Sequence, residues 1–492
     1  MFNLRVPLPE QDEVFLMNTF TDAQLVVSSD VVALLDRLEA RSHEGRVPRD
    51  RSSVLSGLGS LDSLDSLDDD DRETVVQLTE HGFLVESRER EREALNRYFA
   101  DIRNDTSELR VTLLTTLQCN FACDYCYQGD HGDYNKFADK MSLETARKVG
   151  DWIEGQLDET RATSFVLTFF GGEPLLNLPV MYELAERAWR AGEARGIEVS
   201  LSIITNGLLL SPEIVDRLLP FGLKGIKVTL DGDRDTHDRM RPLRGGQGTF
   251  DRIVQNVRRV ADKVAISIGG NFDASSVDSY PALLDFLLEQ EFADKLAKVA
   301  FKPIITDPVP QPAKGIIPLT AVDGANKPLG GTCMTAAGAG TTAGSTICDT
   351  CHFVDEKMSF LRDETQKRGF PTPDGVHMGP CEIHRSHAHT IGPSGALYAC
   401  PGFTGDKALS IGHIGERQET WQASAEKKFD VLAAWKDCGD CAYIPVCAGG
   451  CSVASHTELG DMNKPTCHKS SFDSALVSLA HQATSASLEC TQ

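Results

Sequence analysis

Three cysteines fall within eight residues in "CNFACDYC", as Cys119, Cys123 and Cys126 in the pattern C-x3-C-x2-C. Three thiolates can hold three irons of a [4Fe–4S] cube and leave the fourth iron open. An open coordination position marks a catalytic metal site rather than a structural one. The plainer readings are a chance loop, or a zinc site completed by His131. The chain has fourteen cysteines: three at 119–126, three at 333–351 (Cys333, Cys348, Cys351), seven between 381 and 467, and Cys490 near the end. Disulfides are rare in a reducing cytosol, so clusters of this kind read as metal or iron–sulfur sites. Cys490 reads as an ordinary thiol.

Such a loop needs a scaffold to aim it. From 111 to 305 strand-like and helix-like periodicities alternate. The strands are "VTLLTT" (111–116), "FVLTFF" (165–170), "VSLSIIT" (199–205), "GIKVTL" (225–230), "VAISIGGN" (264–271) and "VAFKPII" (299–305), with a helix-periodic segment between each pair. Six β/α units in a row imply a parallel sheet or an incomplete barrel. Chemistry in such folds gathers at the C-terminal ends of the strands. The cysteine stretch follows the first strand. "GGEP" (Gly171, Gly172, Glu173, Pro174) follows the second, "TNG" (Thr205, Asn206, Gly207) the third and "LDG" (from Leu230) the fourth. All four converge on one rim.

This combination resembles the radical S-adenosylmethionine (SAM) superfamily. The resemblance implies an α/β fold with a partial (β/α)6 TIM-like barrel over residues 105–306. It implies that SAM chelates the open iron, and that an electron from the cluster cleaves it to methionine and a 5′-deoxyadenosyl radical. It also implies cofactor contacts from the rim. The Glu173 carboxylate would meet the SAM ammonium, and Gly171 and Gly172, with Pro174, would let backbone approach the ligand. Tyr125 would pack near the adenine, Thr229 would lie near the ribose, and Thr205, Asn206 and Asn271 would add polar groups. "HDRMRPLRGGQGTFDRIVQN" resembles the segment after the LDG strand in peptide-modifying members. Taken singly, GGEP is a tight turn, Thr229 and Asn271 are strand-end polar residues, and His237 and Asp238 cap the following helix.

The second cysteine field reads G395-x4-C400, then C438-x2-C441-x5-C447-x3-C451-x15-C467, with Cys381 upstream. It resembles the SPASM extension of radical SAM enzymes, which implies two auxiliary [4Fe–4S] clusters. By that resemblance Cys438, Cys441, Cys447 and Cys467 hold the outer cluster, and Cys381, Cys400 and Cys451 the inner one. The fourth inner ligand is open. His384, His387 or His389 stands near the place of a further family cysteine, and Cys333, Cys348 and Cys351 are alternatives. Structural zinc is the competing reading of four-cysteine sets.

The expected organisation is a winged-helix-like unit at 1–100, the barrel at 105–306, a mobile Pro- and Gly-rich insertion at 307–380, the SPASM domain at 381–470 and a helix or tail at 471–492. The first unit is read as two strands ("VFLMN", "AQLVVS"), helices and a final strand, "FLVES". Formal charge is -23, which argues against nucleic acid as a partner. No signal peptide or membrane span is evident, so the expected location is cytoplasmic. The resemblance implies a ribosomally made precursor peptide as substrate, bound to the first unit by strand addition. It implies a thioether or carbon–carbon crosslink as product, and flavodoxin or ferredoxin as electron donor. Two other readings remain. One is an anaerobic sulfatase-maturing enzyme forming formylglycine, although Pro401 stands where that group has an Asp. The other is a non-catalytic electron carrier or peptide scaffold, which would need no SAM pocket.

Overall fold

The computed structural model describes residues 2–8, 12–43, 67–85, 87–126, 138–305, 349–373, 375–376, 379–416 and 432–489. The chain opens with an antiparallel meander of β1 (Asn3–Leu8), β2 (Glu13–Asn18) and β3 (Ala23–Ser28), in the order β1-β2-β3. Alternation gives this sheet two apolar faces. Leu16 faces α1 (Ser29–His43) and α2 (Asp69–Glu80) in a core with Leu34, Leu35, Val75, Leu78 and Phe83. Val6, Leu8, Phe15 and Met17 face the C-terminal helix Lys469–Glu489, packing on Leu476 and Ala480. Helix α3 (Arg88–Asn104) then buries Leu95 and Phe99 with Phe2 against Ile444 and Ala448 of the cysteine-rich region.

Strand β1 was not expected, and the described residues of "FLVES" form no strand. Pro7 removes a ladder donor, which an edge strand tolerates because that position can face away from its neighbour. Phe83 and Leu84 are instead buried as side chains beneath α1 and α2.

Six parallel strands follow, each with helices after it, as the alternation predicts: β4 (Glu108–Leu114), β5 (Ser164–Phe170), β6 (Glu198–Thr205), β7 (Leu223–Thr229), β8 (Ala265–Phe272) and β9 (Leu296–Pro303). The helices are α4 (Leu143–Thr160), α5 (Leu178–Arg195), α6 (Pro212–Leu218), α7 (Arg234–Met240), α8 (Phe250–Val260) and α9 (Tyr280–Leu288). One alternation of the strands, including Val111, Leu167, Leu201, Val228, Ile268 and Val299, is buried against these helices. The other alternation is polar. Thr112, Thr168 and Ser202 stand side by side in register across β4–β6, with Thr168 Oγ1 and Ser202 Oγ 2.9 Å apart. A closed barrel would fill that inner face with apolar side chains; a polar inner face suits an open half-barrel that holds a ligand.

The sheet does not stop at 306. β10 (Ala388–Ile391) pairs in parallel with β4, and β11 (Ala396–Tyr398) and β12 (Ser410–His413) continue outward, giving nine strands in the order β12-β11-β10-β4-β5-β6-β7-β8-β9. The cysteine-rich region is thereby welded to the first barrel strand. The expected insertion is ordered where it is described: α10 (Asp349–Lys367) contributes Leu361 to the main core, and Val299 N–H donates to Pro371 O at 2.7 Å. Residues 306–348, with Cys333 and Cys348, lie outside the described residues, as do His131 and Cys490. Among the described residues no helix is long and apolar enough to cross a membrane.

Candidate active site

The cysteine loop leaves the end of β4 and is gripped from two sides. On one side lies GGEP: Gly172 N–H donates to Thr116 O and Glu173 N–H to Gln118 O, both at 2.8 Å. The glycines are required by this contact. A Cβ at Gly171, whose φ is +140°, would stand 2.3 Å from Thr116 O, and one at Gly172 would stand 2.3 Å from Gln118 O. The close approach is therefore to the cysteine loop's own backbone. On the other side lies the segment after α7. Ala122 N–H donates to Pro242 O at 2.9 Å, Arg244 N–H to Asn120 O at 3.2 Å, and Arg244 Nε to Cys119 O at 3.0 Å.

Glu173 is fully buried, and its carboxylate is used within the protein. Oε1 accepts from Leu175 N–H at 2.9 Å and Thr205 Oγ1 at 2.8 Å, and Oε2 accepts from Asn206 N–H at 2.8 Å. Burial raises its pKa against these donors and the charge of Arg241. Glu173 thus brackets the tips of β5 and β6, and Thr205 and Asn206 serve it. Asn206 Nδ2 in turn donates to Asn120 Oδ1 at 2.8 Å and lies 3.8 Å from Cys119 Sγ. Pro174 opens a short 3-10 turn and is buried.

Burial, with the charge of Glu173 and the neighbouring Cys123 and Cys126, pushes the Cys119 thiol up to about 12. Burial does the same to Cys123, to about 11, against the pull of Arg241. Buried thiols of this kind become thiolates only beside a strong cation, which cluster iron supplies. The three-thiol set therefore fits an iron–sulfur cluster. Among the described residues no three His, Cys, Asp or Glu side chains stand close enough to share one metal ion.

Tyr125 is the entry to a buried polar network that motif reading missed. Its hydroxyl donates to Asp231 Oδ2 and accepts from Arg241 Nη1 at 2.6 Å and Asn271 Nδ2 at 3.3 Å. Asp231 is fully buried, accepts from Asn271 N–H at 2.8 Å and pairs with Arg241 at 3.4 Å. The Asp231 N–H donates to His237 Nδ1 at 3.1 Å, which fixes the neutral tautomer with Nε2–H directed to Thr249 Oγ1 at 3.0 Å. Burial, then the charge of Arg241, holds His237 well below the usual histidine range. His237 is thus a buttress, while Asp238 does cap α8, accepting from Thr249 and Phe250 N–H at 2.6 and 2.9 Å. Thr229 lies half-buried at the end of β7 on the same face. Asp231 and Arg241 were legible only as parts of "LDG" and "HDRMR".

The auxiliary cysteines separate into groups. Cys438, pushed up to about 12 by burial, feels Cys447, Cys441 and Cys467. Cys447, pushed up to about 11, feels Cys441 and Cys467. Those four lie within reach of one another, and Gly449 and Gly450 N–H groups support Cys447. Cys381, raised by burial, feels Cys451. Cys400 Sγ accepts from Gly402 N–H at 3.5 Å. The ten cysteines whose side chains are described are free thiols. His389 stands on β10 beside Val111, its ring edge-on to Trp152 at 5.1 Å, so it belongs to the sheet–helix core. His384 packs on Phe99 at 6.1 Å. His387 is lowered by burial and feels Glu159 and Asp105, which flank the opposite, N-terminal ends of the strands.

The family model of the radical SAM superfamily matches residues 113–270. Fe-coproporphyrin III synthase of Methanosarcina barkeri is 31% identical over 188 residues, 38% of this chain and 41% of that protein. Mycofactocin maturase MftC of Mycolicibacterium smegmatis is 24% identical over 369 residues, 70% of this chain and 78% of that one. The solved structure of native anSMEcpe with bound AdoMet shares the fold, with a TM-score of 0.55, 16% identity, and coverage of 76% of this chain and 99% of that chain. The chain spans 41%, 36% and 41% of the lengths of the first curated relatives it matches. The C-x3-C-x2-C loop, locked to the C-terminal rim of a parallel sheet, lies inside the matched residues, so 113–270 is similar to the radical SAM superfamily both in sequence and in the placement of its cysteines.

Proposed function

We propose that the protein is a radical SAM peptide maturase that installs a crosslink, thioether or carbon–carbon, in a ribosomally made precursor peptide. The observation that carries this reading is the three-thiol loop, held by GGEP and the Arg241 segment above a polar, open inner face. A [4Fe–4S] cluster on Cys119, Cys123 and Cys126 would supply the electron that cleaves SAM, and so the radical that takes hydrogen from the peptide. The chain's own residues aim this chemistry. Gly171 and Gly172 set the height of the loop, Glu173 ties the tips of β5 and β6, and Tyr125, Asp231 and Asn271 tie the loop to β7 and β8. Gly171–Pro174, Tyr125, Thr205, Asn206, Thr229 and Asn271 are the candidate SAM contacts.

Cys438, Cys441, Cys447 and Cys467 would hold one auxiliary cluster and Cys381, Cys400 and Cys451 another, the three-cluster set accepting and passing electrons. Flavodoxin or ferredoxin is the candidate donor, and the cytoplasm is the compartment that suits these reduced sites. Among the described residues β3 pairs only with β2, so its outer edge is the candidate site of strand addition by a precursor peptide. This winged-helix-like unit is the candidate recognition domain. Formylglycine formation is the weaker reading, since Pro401 opens a turn where that chemistry would need an acid.

The test is anaerobic SAM cleavage with dithionite, joined to mass spectrometry of a small peptide encoded beside this protein and co-expressed with it. The expected results are 5′-deoxyadenosine and a peptide lighter by two hydrogens. SAM cleavage absent from iron-loaded protein would sink the reading.

A further inference from the structure

The chain is acidic, with 72 acidic against 49 basic residues, and several of its surface lysines are paired. Lys263 meets Asp216 at 2.8 Å, Lys357 meets Asp278 at 3.2 Å, and Lys367 meets Glu364 at 2.7 Å. Three lysines of the half-barrel stand together without such a pair among the described residues. Lys227 on β7, Ser267 on β8 and Lys298 on β9 form one row across the sheet, and Asn271 and Lys302 form another nearer the rim. Alternation puts all three lysines on the inner face. Asn271 identifies that face as the one toward the cysteine loop, because its side chain meets the Tyr125 hydroxyl.

Lys227 leans toward the rim and feels the other two lysines. A Cβ on Gly269 would stand 2.5 Å from Lys227 Cε and 3.3 Å from Nζ. Lys227 therefore lies along the bare backbone of Gly269, one row closer to the rim than its own register partner. Burial, then the charges of Lys302 and Lys298, lowers its ammonium to about 8. Among the described residues no carboxylate acts on it. Among the described residues none of the three has an ion pair. Three cations on one solvent-exposed face, inside a strongly anionic chain, make a local positive potential that draws anions.

We propose that Lys227, Lys298 and Lys302 form a subsite for an acidic peptide segment on the inner face of the half-barrel. This rests on the reading of the protein as a peptide-modifying enzyme and names the substrate's chemistry. Lys298 and Lys302 stand four residues apart on one strand, about 13 Å at the rise of a β-strand. A single carboxylate cannot span that length, whereas an extended chain with two or more carboxylates can. Gly269 is part of the device, since any side chain there would occupy the path of Lys227.

The other source of a carboxylate is SAM itself, and one experiment separates the two. The iron-loaded full chain is treated with trace acetic anhydride near pH 8, and acetylation of each lysine is read by peptide mapping. The probes, added separately, are acetyl-Gly-Glu-Glu-Glu-Gly, its glutamine counterpart, and SAM. The acidic peptide should cut labelling at Lys227 by at least about threefold, the effect of two-thirds occupancy, while the outward-facing Lys224 labels as before. The glutamine peptide should give no protection, and Lys298→Met with Lys302→Met should abolish protection at Lys227. Unchanged labelling with the acidic peptide, equal protection by the glutamine peptide, or protection by SAM alone would each overturn the subsite. Protein that cleaves SAM but shows no protection refutes the subsite only. Protein that shows protection but cleaves no SAM refutes the maturase reading only.

Discussion

Replacing Gly172 by alanine tests whether GGEP serves the cysteine loop. A Cβ there would stand 2.3 Å from Gln118 O, 2.5 Å from Leu117 O and 2.7 Å from Gln118 C. All three are backbone atoms and cannot rotate away. Restoring ordinary contact near 3.4 Å needs a displacement of about 1 Å in the residue before Cys119. That displacement breaks the Gly172–Thr116 and Glu173–Gln118 hydrogen bonds, at about 1 kcal/mol each. Overpacking adds about 1–3 kcal/mol, so the loop loses about 3–5 kcal/mol of local stability. The assay is iron and sulfide content after anaerobic reconstitution, with SAM affinity on the same sample. About four of about twelve irons should be lost, and SAM affinity with them, while helix content stays constant. Gly155→Ala on α4 is the control, because nothing stands within 4 Å of its added Cβ; it should stabilise by up to about 1 kcal/mol. A Gly172→Ala protein with full iron and parental SAM affinity would refute this account of the motif.

Arg241→Met leaves Asp231 fully buried without its cation, which should cost about 3–5 kcal/mol; Arg241→Met with Asp231→Asn should recover part of that, both read from urea unfolding of the cluster-free protein, and an unmoved midpoint would contradict it. Replacing Cys119, Cys123 and Cys126 together by Ala should remove about four irons and all SAM cleavage, whereas Cys441→Ala should remove about four others; zinc in the second field would overturn its assignment. His237 resists protonation in the folded state, so below the ordinary histidine pKa of about 6.5 the unfolded chain binds the extra proton. Stability should then fall as pH drops from about 7 to 5, by up to about 1.4 kcal/mol per unit, and His237→Gln should flatten that slope.

Local chemistry in the sequence foretold the six parallel strands and the shared rim, because alternation and helical spacing are short-range signals. The same signals misjudged the first unit. Pro7 hid β1, and the apolar run at Phe83 and Leu84 looked like a strand but supplies buried side chains only. The union of β10 with β4 joins residues nearly three hundred positions apart, and no periodicity reports such a partner. The Tyr125–Asp231–Arg241 network has the same character, the first two standing 106 positions apart. Composition did mark "GGTCMTAAGAGTTAGST" as unlike its neighbours, yet the adjacent α10 is ordered because Leu361 and Val354 find apolar cover. The lysine row escaped notice because each lysine looks ordinary until the strands are placed side by side.

The packing of β1 and β2 on helix Lys469–Glu489 fixes when this protein can finish folding. Val6, Phe15 and Met17 are made more than four hundred residues before their cover, Leu476 and Ala480. A ribosome extending the chain at about 5–20 residues per second needs roughly half a minute or more to release that cover. Through that interval one face of the meander is bare, and its two edge strands are open to other chains. Contacts of such sequence separation form slowly. Yield in a host should therefore respond to translation speed and to chaperones that shield the nascent meander, independently of iron supply.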